Sequence, residues 1–284
     1  MKELFDLKIV HEKNIGPFYP RVRDREDIAV LRDEKTGVIF LDSMSHMRLS
    51  HYEEVGVGSY GYWGQKDKGG GREKYEEDDR RRSKQFGLYF KQADVIDIGC
   101  GMGGLLEEIK SIAKSVAGVE PREGDRDELA RRGYRMYRRA ADAPAGQFDV
   151  ACLFHVFEHA TEPLDMLKDA RTLLRPGGTL LVEVPHARDV LMKLDAFKAF
   201  TLWSEHLVLH TKESLRRYLK AAGFKNIRIE GFQRYPLGNH VGWLVDSKPG
   251  GQSRYSFPEG AVVAYEKALK ETDQTDTLIA FATK

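Results

Sequence analysis

VIDIGCGMGG, residues 95–104, is an apolar run that passes without a linker into a glycine-rich turn. An apolar run of this length, closed by a turn, reads as a buried strand. Glycines at a strand-to-helix turn let the backbone bend tightly and approach a ligand with no Cβ in the way. Gly99, Gly101 and Gly104 also satisfy G-x-G-x-x-G, with Glu120 about twenty residues on, where an acid can take ribose hydroxyls. The loop therefore points to a cofactor that contains a nucleoside.

Outward from this strand the same alternation repeats. SVAGVE (115–120), a run near Tyr134–Tyr137, FDVACLF (148–154) and TLLVEVP (179–185) are short apolar runs. They alternate with amphipathic stretches that read as helices reaching Lys114 and Arg132, then 163–174 and 212–222. Continuous apolar strands joined by helices predict a parallel sheet covered on both faces, with a ligand across the carboxyl ends of its strands. Arg175-Pro176-Gly177-Gly178 reads as a turn. KNIRIEGF (225–232) and TDTLIAFATK (275–284) add two strands, and residues 231–274 between them read as an insertion with a helix near 259–271.

Residues 1–92 form an N-terminal accessory or lid region ahead of a domain over 93–284. IAVLRDEKTGVIFLD (28–42) predicts a hairpin about DEKTG. Tyr60, Tyr62 and Trp63 sit in a glycine-rich stretch that reads as a mobile loop or lid. KYEEDDRRRSKQFGLYF (74–90) mixes both charges and reads as a solvated helix; Arg81 and Arg82 either pair with a cofactor carboxylate or face water.

The chain has 284 residues and is 41% hydrophobic, which excludes a disordered or fibrous class. Forty-five Lys and Arg against 44 Asp and Glu leave a formal net charge of +1, so nothing global attracts nucleic acid, although Arg80–Arg82 form a local basic run. Cys100 and Cys152 lie in apolar runs and read as reduced core residues of a cytoplasmic protein. No stretch has the length and apolarity of a signal peptide or a membrane span. Oligomeric state is not readable from these features.

Two features favour S-adenosylmethionine over a dinucleotide. Asp97 stands two residues before Gly99, where a carboxylate repels pyrophosphate and suits a cationic amino-acid cofactor. The order FDV strand, R-P-G-G turn, LLVEVP strand has no counterpart in a dinucleotide site. With VIDIGCGMGG, VAGVEP, FDVACLFHVFEH, LLRPGGTLLVEVP and EHLVLHTKESLRRYLKAAGF in that order, the chain resembles the class I S-adenosylmethionine-dependent methyltransferases. The resemblance implies an α/β, Rossmann-like, doubly wound, mostly parallel seven-stranded sheet ending in an antiparallel strand. It places Asp97, Gly99, Cys100, Gly101 and Gly103 around the methionine part of the cofactor, Glu120 on the ribose, and Phe154 and His155 against the sulfonium. Asp142 lies where the family often has an acid near adenine, or is a turn residue before Pro144.

HVFEH (155–159) also spells the H-x-x-E-H of an inverted zinc protease. That reading needs both histidines on one helix and a third ligand. Here a strand precedes them and Thr161-Glu162-Pro163 starts the next helix, so no metal is assigned; His159 and Glu158 read as loop-holding residues. If the acceptor is a hydroxyl, a histidine base suits neutral pH. The candidates are His206 (oriented by Glu205), His155 and His240, with His210 nearby. Trp243 and Lys248-Pro249-Gly250-Gly251 read with His240 as an exposed cluster, Trp243 stacking on an acceptor or anchoring the insertion. The function expected is methyl transfer to oxygen of a small-molecule, glycan or natural-product acceptor. A nicotinamide-dependent oxidoreductase, a metallohydrolase and a non-catalytic cofactor-binding protein are the rivals.

Overall fold

The computed structural model describes residues 2–47, 70–248 and 255–284. Strands β1 (Ile15–Tyr19), β2 (Val30–Asp33) and β3 (Ile39–Leu41) precede the glycine loop. After them come β4 (Asp94–Ile98), β5 (Ser115–Val119), β6 (Arg135–Tyr137), β7 (Phe148–Phe154), β8 (Leu174–Pro185), β9 (Val208–Leu209), β10 (Lys225–Phe232) and β11 (Thr277–Thr283). Seven of these form one sheet in the order β10-β11-β8-β7-β4-β5-β6. β4 pairs in parallel with β5 and β7, while β11 runs antiparallel to both β8 and β10. The chain moves outward from β4 to β6 and then returns to β7 on the other side. β4 and β7 thus flank the point where strand order reverses, the crevice in which open α/β sheets bind ligands.

Each β4 residue is buried, as a strand covered on both faces demands. At the amino ends, Arg175 ties two strands together by donating to Asp149 (2.6 Å) and Asp94 (2.8 Å). The R-P-G-G segment differs from the expected turn. It lies inside β8 as a bulge: Phe148 pairs with Leu174 and Val150 with Thr179, so four residues of β8 are taken up between two rungs. Gly177, at φ 80°, absorbs the bend.

The hairpin 28–42 forms as expected, with β2 and β3 antiparallel. Its turn is held by Asp33, whose side chain accepts from the N–H groups of Lys35 (3.0 Å) and Thr36 (2.8 Å). β9, from the segment EHLVLH, adds to this hairpin and completes a second sheet, β1-β2-β3-β9. Residues of both regions, including Leu4, Ile9, Val38 and Phe40 with Leu207, Leu215 and Tyr218, share one buried apolar cluster. The N-terminal region is therefore stitched to the rest by a strand pair and a common core. Tyr60, Tyr62 and Trp63 lie outside the described residues.

The insertion departs from the exposed cluster expected of it. Residues 237–246 are a helix, with His240 and Trp243 only 2% and 3% exposed. Trp243 packs edge-on to Phe197 and against Phe200, both at 5.1 Å between centroids, so it anchors the insertion. Pro249, Gly250 and Gly251 lie outside the described residues. Among the described residues no helix is long and apolar enough to cross a membrane.

Candidate functional site

Gly99, Gly101 and Gly103 all take positive φ, 77°, 52° and 74°, as the chain leaves β4. At two of them packing, besides φ, forbids a side chain. A Cβ on Gly99 would lie 2.4 Å from Val156 Cγ2, and one on Gly103 2.5 Å from Leu129 Cδ2. A Cβ on Gly101 would meet nothing within 4 Å, so this residue faces open space at the mouth of the crevice. A cradle with its centre open and its flanks closed fits an extended small cofactor approaching backbone.

Three carboxylates surround that cradle. Glu120, 3% exposed at the end of β5, accepts the N–H of Gly101 (2.9 Å) and of Arg122 (3.0 Å), which fixes the loop over β5. Asp97 is 5% exposed at the centre of the crevice. Asp79 reaches in from the helix Gly70–Gln85, and a Cβ on Gly104 would collide with its Oδ2 at 2.0 Å. Burial, with Asp79 and Glu120 as like charges, pushes Asp97 up to about 8. Burial raises Asp79 to about 6 against the pull of Arg82, and raises Glu120 against its two N–H bonds. Arg82 reaches Asp79 at 3.3 Å and Arg122 lies 3.8 Å from Glu120, yet burial still outweighs these cations, so a further positive charge entering the cradle is favoured.

A carboxyl raised in the folded state contributes stability that is complete below its unfolded pKa and is lost as pH rises through the folded one. Binding a cation pulls these pKa values down, so protons leave on binding. Cofactor affinity is expected to rise by up to about tenfold per pH unit between pH 6 and 8. Calorimetry in buffers of different ionisation enthalpy checks the proton release; affinity flat across this range would contradict it.

Beside the cradle, β7 turns sharply at His155, whose φ is 55°, a conformation uncommon outside glycine. His155 lies between Glu158 (Nδ1 to Oε1, 3.1 Å) and Glu183 (Nε2 to Oε1, 3.3 Å). Burial would lower its pKa, yet the two carboxylates outweigh burial and raise it. Phe154 instead turns its ring into the core, stacked on Phe86 at 5.5 Å, so only its backbone can line a pocket wall. Cys100 sits by Glu120 and Asp97, and burial beside them pushes its thiol up, away from reactivity.

Asp142 is exposed and accepts from the backbone and guanidinium of Arg139 (3.1 and 3.0 Å), the contacts of a turn residue. Burial, with His159 as neighbour, pushes His206 down to about 3, a direction that counts against the expected role as base. Burial takes His240 to about 4, and its nitrogens already meet Gln233 (3.0 Å) and Tyr265 (2.8 Å). His210 is likewise pushed to about 4 by burial and stacks on Phe157 at 4.9 Å.

The charge run holds the residues the sequence reading placed in water. Asp78, Asp79 and Arg82 are buried. Arg81 and Arg82 both pair with Glu183, which is fully buried near the end of β8, at 2.7 and 2.8 Å. Arg234 from the segment after β10 joins them by a bidentate pair with Asp78. The signal for this network is Glu183 itself, a lone charge in the apolar strand LLVEVP that must find a cation once buried.

A family model for a methyltransferase domain matches residues 72–229. A ubiquinone biosynthesis O-methyltransferase of Dinoroseobacter shibae is 36% identical over 180 residues, covering 56% of this chain and 70% of that protein. Its namesakes in Ruegeria pomeroyi and Acinetobacter baylyi are 38% and 30% identical, over 50% and 30% of this chain and 64% and 40% of theirs. The chain thus spans between 40% and 70% of these relatives' lengths. Two solved methyltransferases dependent on S-adenosylmethionine share the fold. That of Thermotoga maritima has TM-score 0.56, 17% identity, and covers 84% of this chain and 100% of that one. That of Archaeoglobus fulgidus has TM-score 0.52, 19% identity, and covers 74% and 94%.

Proposed function

Because the chain belongs to the S-adenosylmethionine-dependent methyltransferases, we propose that it methylates an oxygen of a small-molecule acceptor at the carboxyl ends of β4, β5 and β7. The observation that carries this reading is the ring of Asp79, Asp97 and Glu120 around a glycine cradle open at Gly101. Three carboxylates disfavour the pyrophosphate of a nicotinamide cofactor and favour a ligand bearing ammonium and sulfonium charges. The O-methylation for which the relatives of ubiquinone biosynthesis are named supports oxygen as the acceptor atom.

The cofactor supplies a methyl group already activated on a sulfonium. Gly99, Gly101 and Gly103 cradle its methionine part, with Asp97 near the ammonium. Glu120 uses lone pairs not taken by Gly101 and Arg122 to accept the ribose hydroxyls. His155, which leaves the end of β7 in a left-handed turn, walls the crevice near the reacting methyl. The protein's share of catalysis is then to align the acceptor behind that methyl and keep water out. A near-neutral net charge argues against a nucleic-acid acceptor, and the two unpaired cysteines fit a cytoplasmic location.

Glu120→Ala is expected to weaken cofactor binding by about 1.5–3 kcal/mol, the loss of a charged hydrogen-bond acceptor. Calorimetry with S-adenosylmethionine checks this, and unchanged affinity would remove the ribose role. The acceptor is found by incubating a cell extract with the protein and isotopically labelled cofactor, followed by mass spectrometry. Label on oxygen of a small molecule is the expected result; label on nitrogen or on nucleic acid would overturn the reading.

A further inference from the structure

A hydroxyl acceptor needs help to lose its proton, yet His240 is engaged by Gln233 and Tyr265 and His155 is held between two carboxylates. The same corner of the molecule holds a second unresolved need. Glu158, in the turn Phe157–His159, is 1% exposed. Its Oε1 meets His155, while Oε2 is buried with no hydrogen-bond partner. A buried carboxylate oxygen in that state is costly unless a cation answers it.

Two imidazoles face this carboxylate from different parts of the chain. His159 donates Nδ1–H to the carbonyl of Glu205 (2.8 Å), which places the lone pair on Nε2, 3.9 Å from Glu158. His206, in the loop before β9, has a buried Nδ1 without a hydrogen-bond partner, and its ring centroid is 5.1 Å from that of His159. One donor atom each from Glu158, His159 and His206 lies within 4.8 Å of the others.

We propose that Glu158, His159 and His206 bind a divalent first-row transition-metal ion, with an open position for the acceptor oxygen. Two imidazoles and one carboxylate suit zinc, cobalt or manganese better than the oxygen-only preference of magnesium or calcium. Ligand bonds near 2.0–2.2 Å draw such donors to roughly 3–3.5 Å apart, a closure that side-chain rotation supplies. This is not the protease arrangement the sequence suggests. His155 leaves β7 in a left-handed turn and orients Glu158 from outside, while the third ligand arrives from the loop 202–207.

The role of the ion rests on the O-methylation reading, whereas its binding does not. At the open position the acceptor hydroxyl oxygen is bound and its pKa lowered, and the proton passes to water. The oxygen–carbon bond then forms as the carbon–sulfur bond breaks, with the electron pair passing to sulfur and neutralising the sulfonium.

The test uses the full chain, stripped with a chelator, titrated calorimetrically with Zn2+, Co2+ and Mn2+ singly, with S-adenosylmethionine affinity measured in parallel. One equivalent of ion should bind, and His206→Ala and Glu158→Gln should each weaken it at least about 100-fold with cofactor affinity within about twofold of the parent. Glu158→Gln also breaks the bond to His155, so His206→Ala and His159→Gln carry the test independently. No saturable ion binding, or equal affinity in His206→Ala, would overturn the site. Ion binding with methyl transfer indifferent to the ion overturns the acceptor role. Ion binding in a protein that methylates no hydroxyl supports the site and sinks the O-methylation reading.

Discussion

Glu183→Ala is expected to destabilise the protein by about 3–5 kcal/mol, because it takes from the buried Arg82 guanidinium its nearer anion, at 2.8 Å, and leaves only the longer contact with Asp79 at 3.3 Å. For a chain of this size that is a fall in Tm of about 6–20 °C, read by thermal melting. The carboxyl of Glu183 is held well below the usual carboxylate range: burial opposes this, but Arg82, His155 and Arg81 prevail. Its contribution is therefore complete above the unfolded pKa and is lost as pH falls through the depressed one. A double change, Arg82→Met with Glu183→Leu, should recover most of the loss, since a packed apolar pair replaces a buried ionic one at little cost. A Glu183→Ala protein that melts like the parent would show that the network does not hold helix 70–85 to the sheet. The same helix carries Asp79 to Gly104, so cofactor affinity should fall with stability.

The second large effect is functional. In Gly101→Val the new side chain meets no protein atom within 4 Å at its Cβ and extends into the mouth of the crevice. Backbone strain at φ 52° costs about 1–2 kcal/mol, so the protein should still fold. Affinity for S-adenosylmethionine should drop at least about 100-fold, the scale on which an obstructed or displaced ligand loses catalysis. Gly99→Ala gives the contrast, because its Cβ strikes Val156 and should cost stability first. Parent-like cofactor binding by Gly101→Val, measured by calorimetry, would place the methionine part elsewhere.

What the sequence reveals follows the range of the interactions that write it. Strand β4, the glycine loop, β10 and the antiparallel β11 are legible because burial on both faces and glycine's access to positive φ act over a few neighbouring residues. Glu120 is legible for the same reason, as it lies one strand along from the loop. The charged helix 70–85 is misread because alternating charges look solvated until a buried partner is known, and Glu183 lies about a hundred residues away.

The histidines mark the same boundary. HVFEH suggests a metal by local spacing, but only the tertiary structure turns His155 toward Glu183 and brings His206 to Glu158 and His159. The sequence by itself determined the α/β sheet, the cofactor loop and the methyltransferase resemblance, all products of short-range periodicity and turn chemistry. The three-dimensional structure decided which acids crowd the cradle, which histidines are buried and neutral, and where a charge lacks its partner. Desolvation and ion pairing depend on which distant segments meet, and no local pattern records that.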